Sequence, residues 1–186
     1  MKQIILTVLL WMLMQPCFAT ENISTLGKHH IIGINLGVGK ITTDLPIEQD
    51  DNEISSGIYY GYKYDTNWTI NAGISEGDSI GCAIQCVADT NLYRKIKYKS
   101  YLLNLKGSIP LSNRWSMFGK IGANYYQSEF SGEYRAKISE NGVGALFAAG
   151  FEVRAFNGVG FAFEAKRLSM GDIAATNYTL NFSYMF

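Results

Sequence analysis

The stretch Tyr178-Thr179-Leu180-Asn181-Phe182-Ser183-Tyr184-Met185-Phe186 puts an aromatic or aliphatic side chain at every second position, up to the final residue of the sequence. A period of two is the mark of a β-strand with one apolar face. An apolar strand face that runs to the last residue is a poor match for a frayed, solvated terminus. It matches a strand whose outer face meets lipid. The expectation is therefore a β-barrel closed in a membrane.

Seven earlier segments repeat the pattern. Residues 30–40 carry Ile32, Ile34, Leu36 and Val38 on one face, with Gly33, Asn35, Gly37 and Gly39 opposite. Residues 56–65 set Ile58, Tyr60, Tyr62 and Tyr64 against Gly57, Tyr59, Gly61 and Lys63. The third segment starts at Trp68 and alternates Ile70, Ala72 and Ile74 with Thr69, Asn71, Gly73 and Ser75. The fourth has Tyr101, Leu103, Leu105, Gly107 and Ile109 on its apolar side; the fifth has Trp115, Met117, Gly119, Ile121, Ala123 and Tyr125. The sixth opposes Phe147, Phe151 and Val153 to Leu146, Glu152 and Arg154, and the seventh opposes Val159, Phe161 and Phe163 to Gly160, Glu164 and Lys166.

The connections alternate in length. Residues 65–67, 110–114 and 156–158 are tight turns with suitable turn residues. Residues 41–55, 76–99 and 128–142 are longer and polar, and residues 169–174 form a shorter stretch. Short turns on one side and long loops on the other describe a transmembrane barrel. The fold expected is all-β, an eight-stranded antiparallel up-and-down barrel, with both termini on the turn side. A soluble eight-stranded barrel of the lipocalin kind also alternates. Trp68, Trp115, Tyr64 and Phe186 argue against it: all lie on the apolar face at the turn end, as an interfacial aromatic girdle requires.

The first residues read as an export signal. Lys2 supplies a positive start, residues 4–14 a short apolar core, and Pro16-Cys17-Phe18-Ala19 a break before a small residue. That core is too short for a membrane helix of ~20 residues. Cleavage is expected after Ala19, which divides the chain into a signal (1–19) and a barrel domain (20–186). Pro16 before Cys17 does not suit lipidation. Of the three Cys, Cys82 and Cys86 would remain. An even pair in an exported chain favours a disulfide over two free thiols, and a lone C-x-x-x-C lacks the further ligands of a zinc site. Removal of Lys2 leaves a net charge near −1. No overall basic field points to nucleic acid.

The interior of so narrow a barrel is filled by its own side chains. The inward set includes Lys63, Lys106, Lys120, Glu152, Arg154, Glu164 and Lys166. Buried charges must pair, so a ladder of interior ion pairs is expected, with Glu152 and Glu164 at its centre. Polar packing explains that ladder better than a gated trickle of ions does.

With these features the chain resembles the small outer-membrane β-barrels of Gram-negative bacteria, the porin-like group of OmpA-like transmembrane domains, OmpX and opacity proteins. Its terminal strand fits the assembly signal of that group at Tyr178, Leu180, Phe182, Tyr184 and Phe186. The resemblance implies Sec-dependent export to the bacterial outer membrane, recognition by the barrel-assembly machinery, periplasmic termini and extracellular long loops. It implies a barrel-only protein, without the peptidoglycan-binding domain of longer members. Lipid A deacylases and palmitoyl transferases share this architecture but need His near the outer rim. Here the two His, His29 and His30, precede the first strand at the turn end, so no enzyme and no cofactor are expected.

Charge in the loops supplies further candidates. Arg94, Lys95, Lys97 and Lys99 could hold lipopolysaccharide phosphates. Asp44, Glu48, Asp50, Asp51 and Glu53 form an acidic first loop that could attract divalent cations. For both sets a plainly solvated loop is the simpler reading. The sequons at Asn22, Asn67 and Asn177 are expected to be accidental. The function expected is a structural or surface-interaction role through the outer loops, in adhesion, colonisation or immune evasion, with host-surface molecules and membrane lipid as partners. A narrow channel is the alternative. Deleting Phe186 should lower the yield of folded barrel several-fold in an outer-membrane fraction; unchanged assembly would leave the terminal row as lipid contacts alone.

Overall fold

The computed structural model describes residues 29–43, 50–79, 95–131 and 138–186. They form eight strands: β1 (His30–Thr43), β2 (Asp50–Lys63), β3 (Trp68–Ser79), β4 (Lys95–Pro110), β5 (Trp115–Ser131), β6 (Ile138–Arg154), β7 (Val159–Met170) and β8 (Ile173–Met185). Each is antiparallel to its neighbours, and β8 returns to β1 to close the barrel. Closure reaches the last residue. His30 N–H donates to the Phe186 carbonyl at 3.0 Å, and Phe186 N–H donates back to His30 at 2.8 Å.

The apolar rows face outward. Ile34, Leu36, Leu103, Phe147 and Leu180 are all between 42 and 60% exposed, which in water would be an aggregation surface. Tyr178, Phe182, Tyr184 and Phe186 belong to the same belt. On β4 the belt runs from Tyr101 to Ile109, nine residues. That span rises ~30 Å along the strand and ~23 Å after a tilt near 40°, close to the ~25 Å apolar band of outer-membrane barrels. Tyr101 and Tyr125 mark its upper edge, with ring centroids 6.3 Å apart. Trp68, Trp115 and Tyr64 mark its lower edge.

The tight turns use the chemistry their residues offer. Ser112 Oγ accepts from the Trp115 N–H at 3.1 Å, and Asn157 Oδ1 accepts from Val159 N–H at 3.1 Å. Gly158 and Gly171 have φ of 99° and 62°, a region where a side chain would be strained.

The strands extend well past the expected boundaries. Residues 41–43, 50–55, 76–79, 95–99, 128–131 and 138–142 had the composition of loops, yet they are strand. What connects β7 to β8 is only Gly171 and Asp172. The reason is an inversion of polarity. Below Tyr101 the outward residues are apolar and the inward ones polar. Above it Lys97, Lys99, Glu76, Gln127 and Glu129 point outward, while Ile96, Tyr98, Tyr126 and Phe130 point inward and are buried. The ladder simply continues beyond the hydrocarbon as a water-facing barrel with an apolar core. Ile41, Leu146, Leu168, Met170, Ile173 and Ala175 complete that core, packed against Leu102.

Inward tyrosines lie across facing glycines. Tyr98 pairs with Gly77, Tyr59 with Gly33 and Tyr126 with Gly142. A Cβ built on Gly77 would stand 2.5 Å from Tyr98 Cζ, so no side chain fits beneath that ring. Gly77→Val should therefore displace Tyr98 and cost ~1–3 kcal/mol, read as a lower urea midpoint for loss of the folded gel band.

Candidate functional site

Three layers of inward side chains fill the barrel. The turn-side layer is ionic. Lys106 and Lys120 are direct cross-strand partners on β4 and β5, an unfavourable juxtaposition of like charge. It is resolved because each turns to a different carboxylate. Lys106 Nζ donates to Glu152 Oε2, and Lys120 Nζ donates to Glu164 Oε2. Arg154 donates from Nε to Glu152 Oε1 at 2.8 Å, and its Nη1 and Nη2 reach Gly158 O at 2.9 Å and Ser183 Oγ at 3.1 Å. Glu152 thus lies between two cations. The rings of Phe118 and Tyr59 flank the lysines, with Lys106 Nζ 4.4 Å from the Phe118 centroid and Lys120 Nζ 5.6 Å from that of Tyr59.

The middle layer is amide-rich. Asn71 donates to Asn104 at 3.0 Å, and Asn181 to Thr179 at 3.3 Å. Lys166 crosses to Ser75 Oγ at 3.2 Å. A cavity of about 30 Å³ lies here, lined by Asn35, Asn71, Asn104 and Glu164 among others, large enough for a water or two. Above it, Tyr98 O–H donates to Glu53 Oε1 at 3.0 Å, and Asn177 donates to Ser55 Oγ at 3.1 Å. The apolar core closes the third layer.

The expected site residues divide accordingly. Lys106, Lys120, Glu152, Arg154 and Glu164 meet in ion pairs. Lys166 meets a hydroxyl instead of a carboxylate. Lys63 is half-buried at the turn-side mouth and joins no ion pair among the described residues. Glu53 is a correction. It does not belong to an acidic outer loop but is buried inside the barrel, 1% exposed. The cause is parity, since it stands two residues before Ser55 on the inward face of β2. Asp50 and Asp51 likewise start β2. Asp44 and Glu48 lie outside the described residues.

On the loop-end rim, Lys97 and Lys99 point outward, and each already has an acidic neighbour. Lys97 pairs with Asp78 at 3.2 Å and Lys99 with Glu76 at 2.9 Å. Lys95 is the first residue of β4, with no side-chain position described. Arg94, the Cys82 and Cys86 pair, and the signal segment lie outside the described residues. His29 and His30 stay at the turn end: His29 Nδ1–H donates to the Lys63 carbonyl at 3.0 Å, and the His30 ring stacks on Phe186. Among the described residues no cluster of His, Cys, Asp or Glu could hold a metal ion.

Sequence parity puts Tyr59 on the inward face and Asn177 enters only as a sequon, while Tyr98 and the apolar core carry no sequence expectation. The signal for Tyr98 and part of that core was present, because 96–100 and 126–130 alternate as cleanly as the membrane segments, with the polar face reversed.

A family described as outer membrane protein beta-barrel domain matches residues 5–186. The chain belongs to that family and is a protein of the bacterial outer membrane. Comparison with curated proteins gave no match. Among solved structures, the chain is similar to Ail, the attachment invasion locus protein of Yersinia pestis, with a TM-score of 0.59 and 15% identity over 86% of this chain and 99% of that one. It is similar to Neisserial surface protein A, with a TM-score of 0.64 and 8% identity over 84% and 97%. It is also similar to OprG of Pseudomonas aeruginosa, with a TM-score of 0.55 and 15% identity over 86% and 96%. These likenesses concern the fold.

The ionic layer makes a direct prediction. Glu152→Ala leaves Lys106 and Arg154 facing each other without a counter-charge. Stability should fall by about 3 kcal/mol, the lower end of the range for broken buried pairs because the mouth below admits water. Urea unfolding in detergent, followed by gel mobility, reads the loss.

Proposed function

We propose that this protein is a rigid surface-display barrel, anchoring its connecting loops outside the cell for contact with host or environmental molecules, without catalytic chemistry. The apolar core at the loop end carries this reading. Ile41, Ile96, Phe130, Leu168 and Met170 close the lumen where a channel would have to open. The same core keeps the strands paired above the membrane, and binding loops work best on such a scaffold. The outward Lys97–Asp78 and Lys99–Glu76 pairs make that palisade water-compatible.

The orientation follows from the connections: tight turns and termini in the periplasm, longer connections outside. The leader, residues 1–19, directs Sec export. The terminal row from Tyr178 to Phe186, outward along β8, is available to the assembly machinery before closure. Cys82 and Cys86, in the sequence between β3 and β4, are proposed to form a disulfide after export. Arg94, Lys95, Lys97 and Lys99 are the proposed contacts for lipopolysaccharide phosphates, with Asp78 and Glu76 competing for Lys97 and Lys99. Ail has been crystallised with the heparin analogue sucrose octasulfate, which makes sulfated glycans a first class of host molecule to try.

A deletion strain separates display from permeation. It should lose attachment to host cells or survival in serum while its outer membrane stays as tight as the parent's. Leakage changes with intact attachment would favour a narrow channel, and a steady large conductance in planar bilayers would contradict the closed lumen.

A further inference from the structure

The turn-side mouth of the barrel carries a charge imbalance that the rest of the interior lacks. Deeper in, Lys120 pairs with Glu164, and Lys166 lies in the field of Glu164 and Glu53 while donating to Ser75 Oγ at 3.2 Å. At the mouth, Lys63, Lys106, Arg114 and Arg154 surround a vestibule of about 240 Å³, and among the described residues Glu152 is the sole carboxylate lining it. Two of those cations are engaged. Lys106 and Arg154 both bind Glu152, and Arg154 spends its other donors on Gly158 O and Ser183 Oγ. The other two make no ion pair: neither the Lys63 ammonium nor the Arg114 guanidinium donates to a carboxylate among the described residues. Glu152 and Asp65 lie within coulombic range of Lys63 without pairing to it, and Asp65 Oδ1 accepts from the Thr66 N–H at 2.6 Å within its own turn.

The vestibule is shaped as well as charged. The Lys106–Glu152–Arg154 group lines its inner side. Its walls add the hydroxyls of Thr69, Ser108 and Ser112. Arg114 is held over the Phe156 ring, 4.6 Å from its centroid, which limits the swing of its guanidinium. Cations beside hydroxyl donors, one of them held against an aromatic ring, suit an oxyanion.

We propose that this vestibule is a binding site for a small oxyanion, a phosphate or similar group, held chiefly by Lys63 and Arg114. The group could belong to a soluble anion or to an anionic lipid headgroup at the membrane edge. The site is at the opposite end from the display loops, so it stands or falls apart from the function proposed above.

Amide chemical-shift titration of the labelled full chain tests it in two arms. In phosphatidylcholine nanodiscs, inorganic phosphate should give saturable shifts around Lys63, Ser108 and Arg114. In phosphatidylglycerol nanodiscs without phosphate, the same shifts would identify a lipid headgroup as the source. Lys63→Gln with Arg114→Gln should weaken the effect at least about tenfold, while Lys40→Gln, outward near the other end, should leave it unchanged. Each variant's folded gel mobility reports that the barrel is intact, and each single variant should show a partial loss. Absence of saturable shifts in both arms would overturn the proposal. So would equal affinity in the folded double variant, or an equal loss from Lys40→Gln.

Discussion

Backbone hydrogen bonding in hydrocarbon governs every other feature of this barrel. An unpaired N–H or C=O in lipid costs several kcal/mol, so a sheet in a membrane can have no edge. The pairing of β1 with β8, down to His30 against Phe186, removes the edge that β1 and β8 would otherwise present. Closure of eight strands then sets a narrow lumen, and the narrow lumen sets the size rules inside. Tyr59, Tyr98 and Tyr126 fit because glycine faces each of them. Deep charged side chains sit beside a carboxylate or a hydroxyl, and Lys63 sits at the mouth.

The same closed ladder passes through two solvents. Within the belt, lipid selects leucine, isoleucine and aromatic residues outside, and the interior takes asparagine, serine and ions. Above Tyr101 water lies outside, so Lys97, Lys99 and Glu76 turn outward and the apolar side chains turn in. The backbone does not change across this boundary. Only the sign of the alternation does. The barrel therefore carries a membrane anchor and a small soluble-type core in one continuous sheet. The second of these fills the barrel interior at its loop end.

The interior ions are best seen as a consequence of register. Lys106 and Lys120 are forced side by side by the β4–β5 pairing. Glu152 and Glu164 come from β6 and β7 to separate them. Burial makes such pairs costly to break and only weakly stabilising when intact. Their value lies in holding one register, since a slip of one residue would turn every lysine to lipid. The surplus of positive charge that remains collects at the turn-side mouth, where water is near.

Much of this was legible in the residues themselves. Period-two alternation gave the strand count, the outward face, the tight turns and the inward set of Lys, Glu and Arg, because which face a strand residue occupies depends only on its neighbours in sequence. What alternation could not decide is where strands end and who meets whom. Polar composition at 50–55 and 95–99 resembled loops, since outward residues beyond the membrane are as hydrophilic as loop residues. Glu53 was assigned to the wrong side for that reason. The pairing of Lys106 with Glu152 and of Lys120 with Glu164, the lack of an ion pair to Lys63 among the described residues, and the vestibule around it all depend on the shear of the closed sheet. That shear is set by all eight strands at once, and only tertiary structure decides it.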